Sequence, residues 1–161
     1  MARSVGWAIV FLLAVANLSY SQNKPVVQTK ESQARMTPKQ ALQRLKDGNA
    51  RFVAGRIQDS KNYRDEVALT GKGQFPFAAF VSCIDSRVDI DHIFDLNNGD
   101  AFDARLAGAI VDPDVLGSLE YSTEHAGAKL IVVLGHSHCG GIKGACDDLQ
   151  DPEVVPEAPL G

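Results

Sequence analysis

Three short apolar runs along the chain predict three β-strands. Residues 77–83, with the sequence FAAFVSC, are continuously apolar up to Ser82, which is typical of a strand buried on both faces of a parallel sheet. A second, weaker strand is predicted at 101–106, and a third, the clearest, at 129–134 with the sequence KLIVVL. Strands of this kind occur where helices cover both sides of the sheet.

Helix signals separate these runs. Thr37, Pro38 and Gln40 form an N-terminal capping signature, so a helix is predicted to run from there to about Ala54. Its apolar face consists of Leu42, Leu45, Phe52 and Val53. Gly48 within it costs about 1 kcal/mol relative to Ala, which indicates close packing at that point. Further helices are predicted at 88–96, from a cap at Asp112 to Gly127, and from about 139 to 149.

Alternating strands and helices predict an α/β fold with a mostly parallel sheet flanked by helices. The length of 161 residues fits a single domain. A strand order of 2-1-3 would make the first and third strands neighbours. Residues 151–161 contain three prolines and are predicted to form a loop.

The N-terminus has the layout of a secretory signal. Arg3 precedes an apolar stretch at 7–16, and a short polar segment follows up to Ser21. We therefore predict a signal peptide at 1–21, cleaved after Ala16 or Ser21. The mature protein would be periplasmic or secreted, with no stable membrane anchor after cleavage. A buried N-terminal helix is the alternative. Residues 22–36 are predicted to be a polar arm, and the domain is placed at 37–161.

Charge and composition limit the classes of partner. The chain carries 16 Lys and Arg against 20 Asp and Glu, a net charge of -4, and has no basic run. This distribution argues against nucleic acid and anionic membranes as partners.

Two polar motifs directly follow predicted strands. C-I-D-S-R occupies 83–87 after the first strand, and H-S-H-C-G-G occupies 136–141 after the third. Ligand sites in open α/β sheets lie beyond the carboxyl ends of strands, so neighbouring first and third strands would bring both motifs together. Cys83, His136 and Cys139 are thiolate and imidazole ligands of the kind that zinc prefers. Three protein ligands with one open position are typical of catalytic zinc, whereas structural zinc has four.

Asp85 and Arg87 extend this prediction. Asp85 lies two residues after Cys83 and could occupy or vacate the fourth metal position. Arg87 could hold Asp85 away from the metal through a bidentate pair. A plain ion pair that braces the turn is the alternative. The glycines after Cys139 either permit a tight start to the helix or supply backbone N–H groups for an anion.

The two motifs resemble those of the β-class carbonic anhydrases. Similar segments lie at 45–52, 73–76 and 142–145. Residues 105–109, R-L-A-G-A, stand where the family usually has R-N-A-G-N. The resemblance implies that Cys83, His136 and Cys139 bind Zn²⁺ and that Asp85 and Arg87 form a catalytic dyad. It also implies reversible hydration of carbon dioxide to bicarbonate through a zinc-bound hydroxide.

Length is the main departure from the family. Members usually continue with more helices and strands that complete the sheet and help to build a dimer. The chain is therefore expected to be truncated at its C-terminus, with an incomplete sheet. The full-length form is expected to be a homodimer or a higher homo-oligomer.

Other functions remain open at this point. The same site could hydrolyse carbonyl sulfide or carbon disulfide, or a non-catalytic zinc domain could bind bicarbonate. A redox protein could instead pair Cys83 with Cys139 as a disulfide, since an exported protein meets an oxidising compartment. His138 and Cys146 are weaker candidate ligands, because the set is complete without them.

Overall fold

The structure, a computed structural model, describes residues 26–58 and 63–150. The predicted signal peptide at 1–21 and the predicted loop at 151–161 lie outside the described residues, so both stay predictions. Within the described ranges, no helix is both long and apolar enough to cross a membrane.

The described part contains a three-stranded parallel sheet in the order β2-β1-β3, as predicted. The strands are β1 (Ala78–Cys83), β2 (Ala101–Leu106) and β3 (Leu130–Leu134), each within one residue of its predicted bounds. The helices are α1 (Lys30–Arg35), α2 (Pro38–Val53), α3 (Tyr63–Thr70), α4 (Ile90–Ile93), α5 (Pro113–Glu120) and α6 (Gly140–Gln150). A 3₁₀ turn follows β2 at Ala107–Ala109, and a π-helical turn extends α5 at Tyr121–His125. The α/β fold class is confirmed.

The central strand β1 is buried on both faces, as its continuous apolar run predicts. Phe80 packs on one side of the sheet in a cluster with Leu45 of α2 and Ile90 of α4. Val81 points to the other side and packs against Val115 and Leu119 of α5. Because successive side chains of a strand alternate between faces, one strand holds both helical layers.

Three helical predictions differ from the structure. The polar arm contains α1, which Thr29 and Ser32 cap reciprocally. Buried Gln33 of this helix donates to the Pro76 and Ala126 carbonyls at 2.6 and 2.7 Å, which connects α1 to the segments that precede β1 and β3. Helix α3 was not predicted, and its buried residue is polar: Glu66 accepts from the Asn98 N–H at 2.8 Å. The helix predicted at 88–96 shortens to the single turn of α4. The buried residues of α1 and α3 are polar and are held by hydrogen bonds to distant parts of the chain. Such helices show no periodic pattern of apolar residues, so the sequence does not predict them.

Helix α2 matches its predicted bounds, including the capping box between Thr37 and Gln40. Its predicted apolar face is wrong in part: Leu45 is buried, but Leu42, Phe52 and Val53 are exposed. Gly48 is buried against α4: a Cβ atom there would lie 1.8 Å from the Phe94 carbonyl oxygen. The close packing predicted at this glycine is confirmed, and it fixes how α2 crosses the chain that follows the first motif.

Gly48→Ala is therefore expected to lower the free energy of unfolding by about 1–3 kcal/mol, the cost of overpacking. The better helix propensity of Ala, about 1 kcal/mol, offsets only part of this. Gly117→Ala in α5 is the matched control. Among the described residues, no atom beyond its chain neighbours and its own helix backbone lies within 4 Å of the added methyl group, so stability should rise slightly. Denaturant unfolding of both variants checks the difference. A Gly48→Ala protein as stable as Gly117→Ala would contradict it.

Candidate metal centre

The carboxyl ends of the three strands meet at one edge of the sheet. Cys83 pairs in register with Leu106 of β2, and Ser82 pairs with Leu134 of β3. The loops that follow these strands therefore leave the sheet side by side. This placement brings the C-I-D-S-R and H-S-H-C-G-G motifs together, as the strand order predicted.

Cys83, His136 and Cys139 form one cluster that could hold a metal ion. Their ligand atoms all lie within 4.8 Å of one another, and the Sγ atoms of Cys83 and Cys139 are 3.8 Å apart. Cys83 is buried, and the other two residues are half-buried. Both cysteines are free thiols in the structure. Within the described ranges, no other group of His, Cys, Asp and Glu has this spacing.

The ring of His136 is oriented to offer one nitrogen to this cluster. Its Nδ1 lies 3.0 Å from the Ser137 carbonyl oxygen, so Nδ1 carries the proton and donates. Nε2 then holds a lone pair. That atom is buried, and no hydrogen-bond partner is present for it among the described residues. A buried, unpartnered lone pair beside two sulfur atoms is what a metal ligand requires.

The surroundings of Cys83 favour its thiolate form. In the metal-free protein, a hydrogen bond from the protonated His136 ring, together with the N–H groups of Gly108 and Asp85, lowers the pKa of Cys83 to about 6. The Gly108 N–H donates to the sulfur at 3.4 Å. Since the thiolate is the form that binds metals, Cys83 is prepared for coordination near neutral pH.

Asp85 is paired with Arg87 beside the cluster. The guanidinium donates through two nitrogens at 2.9 and 2.8 Å, and the Arg87 N–H adds a third bond at 3.0 Å. Oδ2 of Asp85 lies 3.9 Å from Nε2 of His136. The structure thus places Asp85 next to the ligand cluster but holds its carboxylate on Arg87.

These hydrogen bonds hold the pKa of Asp85 well below its usual range. Because the folded-state pKa is lowered, the ion pair contributes its full stability above the ordinary carboxyl pKa of about 3.9. The contribution is lost as the pH falls below that value. Asp85 therefore stays ionised and paired throughout the neutral range.

Two groups at the end of β2 support the site and were not predicted to do so. Arg105 donates to the main-chain carbonyls of Cys83 and Asp85 at 3.1 and 2.8 Å, which braces the turn between them. Gly108 supplies the N–H group that reaches the Cys83 sulfur. Both lie where β2 ends, at the same edge of the sheet as the two motifs, and this position is the sequence signal that could have identified them. His138 and Cys146 are exposed and lie outside the cluster.

A family model described as carbonic anhydrase matches residues 78–158, which is half of the chain and includes all three clustered ligands. The chain belongs to the carbonic anhydrase family. It is 45% identical over 114 residues to "Carbonic anhydrase 2" of Mycobacterium tuberculosis, a match that covers 71% of this chain and 55% of that protein. It is 44% identical over 118 residues to the carbonic anhydrase of Mycolicibacterium smegmatis, covering 73% and 57%.

Solved structures place the chain in the β-class of that family. The β-carbonic anhydrase CcaA matches with a TM-score of 0.53 at 33% identity, covering 71% of this chain and 57% of that one. A Coccomyxa β-carbonic anhydrase in complex with acetazolamide matches with a TM-score of 0.50 at 27% identity, covering 71% and 51%. The chain spans about half the length of the two mycobacterial carbonic anhydrases. The predicted family is confirmed.

Proposed function

We propose that this chain carries the zinc site of a β-carbonic anhydrase and catalyses the reversible hydration of carbon dioxide to bicarbonate. The single observation that carries the proposal is the arrangement of Cys83, His136 and Cys139 at one sheet edge. Family membership supplies the reaction, because the relatives are carbonic anhydrases.

The donor set fits zinc by type and by spacing. Two thiolates at about 2.3 Å from a tetrahedral ion lie about 3.8 Å apart. The Sγ atoms of Cys83 and Cys139 are 3.8 Å apart. A disulfide would need them at about 2.05 Å. The spacing therefore supports a shared metal over the redox alternative.

Each residue contributes a defined part of the chemistry. Cys83 and Cys139 supply negative charge, and the Ser137 carbonyl fixes the tautomer in which His136 presents Nε2. Arg87 keeps Asp85 ionised and turned aside, so three protein ligands remain and one position stays open for solvent. Zinc, when bound, acts as a Lewis acid that acidifies water enough to supply a nucleophile near neutral pH.

The Asp85 carboxylate has a second use at this position. Its Oδ2 lies 3.9 Å from the imidazole nitrogen that points at the cluster. An ionised carboxylate only accepts hydrogen bonds, so Asp85 can take one from a hydroxyl group or water in the open position and orient its remaining lone pairs. This geometry supports the proposal that Asp85 and Arg87 take part in the reaction.

The test combines metal analysis with stopped-flow carbon dioxide hydration on the purified full chain. We expect stoichiometric zinc and hydration above the buffer background. Removal of zinc by a chelator should abolish the rate, and added zinc should restore it. Absence of bound zinc under these conditions would refute the proposal.

Three further outcomes distinguish the alternatives. Stoichiometric zinc without hydration of carbon dioxide would favour a non-catalytic domain that binds bicarbonate. Zinc-dependent release of sulfide from carbon disulfide, with no hydration of carbon dioxide, would favour the hydrolase alternative. A chain that binds no zinc and in which Cys83 and Cys139 are oxidised to a disulfide would instead favour the redox protein.

A further inference from the structure

Gly141 lies in close contact with the backbone of the turn after β2, beside the metal centre. A Cβ atom at Gly141 would lie 2.7 Å from the Gly108 nitrogen and 3.0 Å from the Ala107 carbonyl carbon. Both neighbours are main-chain atoms, so no side-chain rotation could relieve the overlap. Only glycine at this position lets the turn after β2 lie against the first turn of α6.

This contact connects the turn that reaches the Cys83 sulfur with the helical turn that begins at Cys139. On one side, the N–H group of Gly108 donates to Sγ of Cys83 at 3.4 Å. On the other side, Cys139 begins the same helical turn as Gly141, and its carbonyl accepts from the Lys143 N–H at 3.0 Å. The turn after β2 therefore contacts both the Cys83 sulfur and the helical turn that carries Cys139.

The backbone of the turn is shaped for this role. Gly108 has φ of 78°, in the left-handed region that favours glycine, and Ala109 follows with φ of 54°. This conformation directs the Gly108 N–H at the sulfur. Cδ1 of Ile142 would lie 3.3 Å from a Cβ built on Gly108, so Ile142 covers the turn from the helix side.

We propose that Gly141 is a positioning residue that sets the distance between the Cys83 and Cys139 thiolates through its contact with Gly108. The inference rests on the proposed metal function and adds a specific determinant of metal affinity to it. Gly141 has no side chain that could bind a metal, and it acts through the Ala107–Gly108 turn.

Gly141→Ala tests this in the full-chain zinc protein. The added methyl group must separate the turn from α6, so the Gly108 hydrogen bond lengthens and the thiolates move apart. We expect the zinc dissociation constant, measured by competition with a chromophoric chelator, to rise about 10- to 100-fold, the range for lost support of a metal ligand. The thiolate-to-metal charge-transfer band of the cobalt(II) form should shift or weaken.

Gly140→Ala and Gly144→Ala are the matched controls, because no described atom beyond the neighbouring residues and the backbone of the helix itself lies within 4 Å of a methyl group at either position. Both should bind zinc like the wild type. Ile142→Ala provides a second variant that loosens the turn without adding an atom, with Leu149→Ala, an exposed residue of the same helix, as its control. Ile142→Ala should raise the zinc dissociation constant, as Gly141→Ala does, whereas Leu149→Ala should not. The Ile142→Ala result keeps the test valid if Gly141→Ala does not fold.

The two proposals fail in different ways. A wild-type chain that binds no zinc would refute the metal function. A wild-type chain that binds zinc, with a Gly141→Ala variant of equal zinc affinity and an unchanged cobalt spectrum, would refute only the positioning role. Equal affinity losses in Gly141→Ala and Gly144→Ala would also refute it, since a general effect of helix stability would then explain both.

Discussion

Cys139→Ser is expected to remove stoichiometric zinc and reduce carbon dioxide hydration to the buffer background. The Cys139 sulfur is one of only three ligand atoms in the cluster, and its loss leaves Cys83 and His136. A serine hydroxyl remains protonated at neutral pH and does not replace a thiolate, which is the form that binds. Zinc affinity should fall by more than about 100-fold, because that is the largest loss usual for residues that only hydrogen-bond to a ligand.

Cys146→Ser is the matched control for this variant. Cys146 lies exposed on α6, outside the cluster, so the same chemical change should leave zinc content and activity intact. Measuring zinc by mass spectrometry, hydration by stopped flow and helix content by circular dichroism on the same samples separates loss of metal from loss of fold. Full activity in Cys139→Ser would show that the reaction does not use this centre.

The strands and the ligand types were predictable because each depends on a local pattern. The apolar run that forms β1 needs burial on both faces, and that requirement alone implies helices on both sides. Cys83 is the last residue of β1 and His136 lies two residues after β3, which places both at the ligand-binding edge of a parallel sheet. Both inferences need only the sequence next to the strand.

The supporting contacts were not predictable because they depend on tertiary packing. Arg105 reaches the Cys83 carbonyl from 22 residues away, and nothing in its own neighbourhood specifies that carbonyl. Gly141 was interpreted as either a tight helix start or an anion site; the structure shows that its neighbour is the backbone of Gly108. Helix α3 was missed for the same reason, since its buried residue is a hydrogen-bonded glutamate.

Arg87→Ala is expected to keep zinc bound while reducing hydration about 10²- to 10³-fold, the range for removing one preorganised group from an active site. The variant removes both guanidinium hydrogen bonds from Asp85 and leaves only the one from the backbone N–H. Oδ2 of Asp85 already lies 3.9 Å from Nε2 of His136. The released carboxylate can then take the fourth metal position, which would exclude the water that the reaction needs.

A second substitution distinguishes this mechanism from simple bracing of the turn. In an Arg87→Ala, Asp85→Ala protein the blocking carboxylate is absent, so the fourth position reopens and hydration should partly recover relative to Arg87→Ala. Zinc X-ray absorption should detect a carboxylate ligand in the single variant and none in the double variant. A double variant no more active than Arg87→Ala, with no carboxylate ligand on zinc in the single variant, would mean that Arg87 acts through the turn itself. Arg87→Lys keeps the charge without the bidentate geometry and should lie between the wild type and Arg87→Ala.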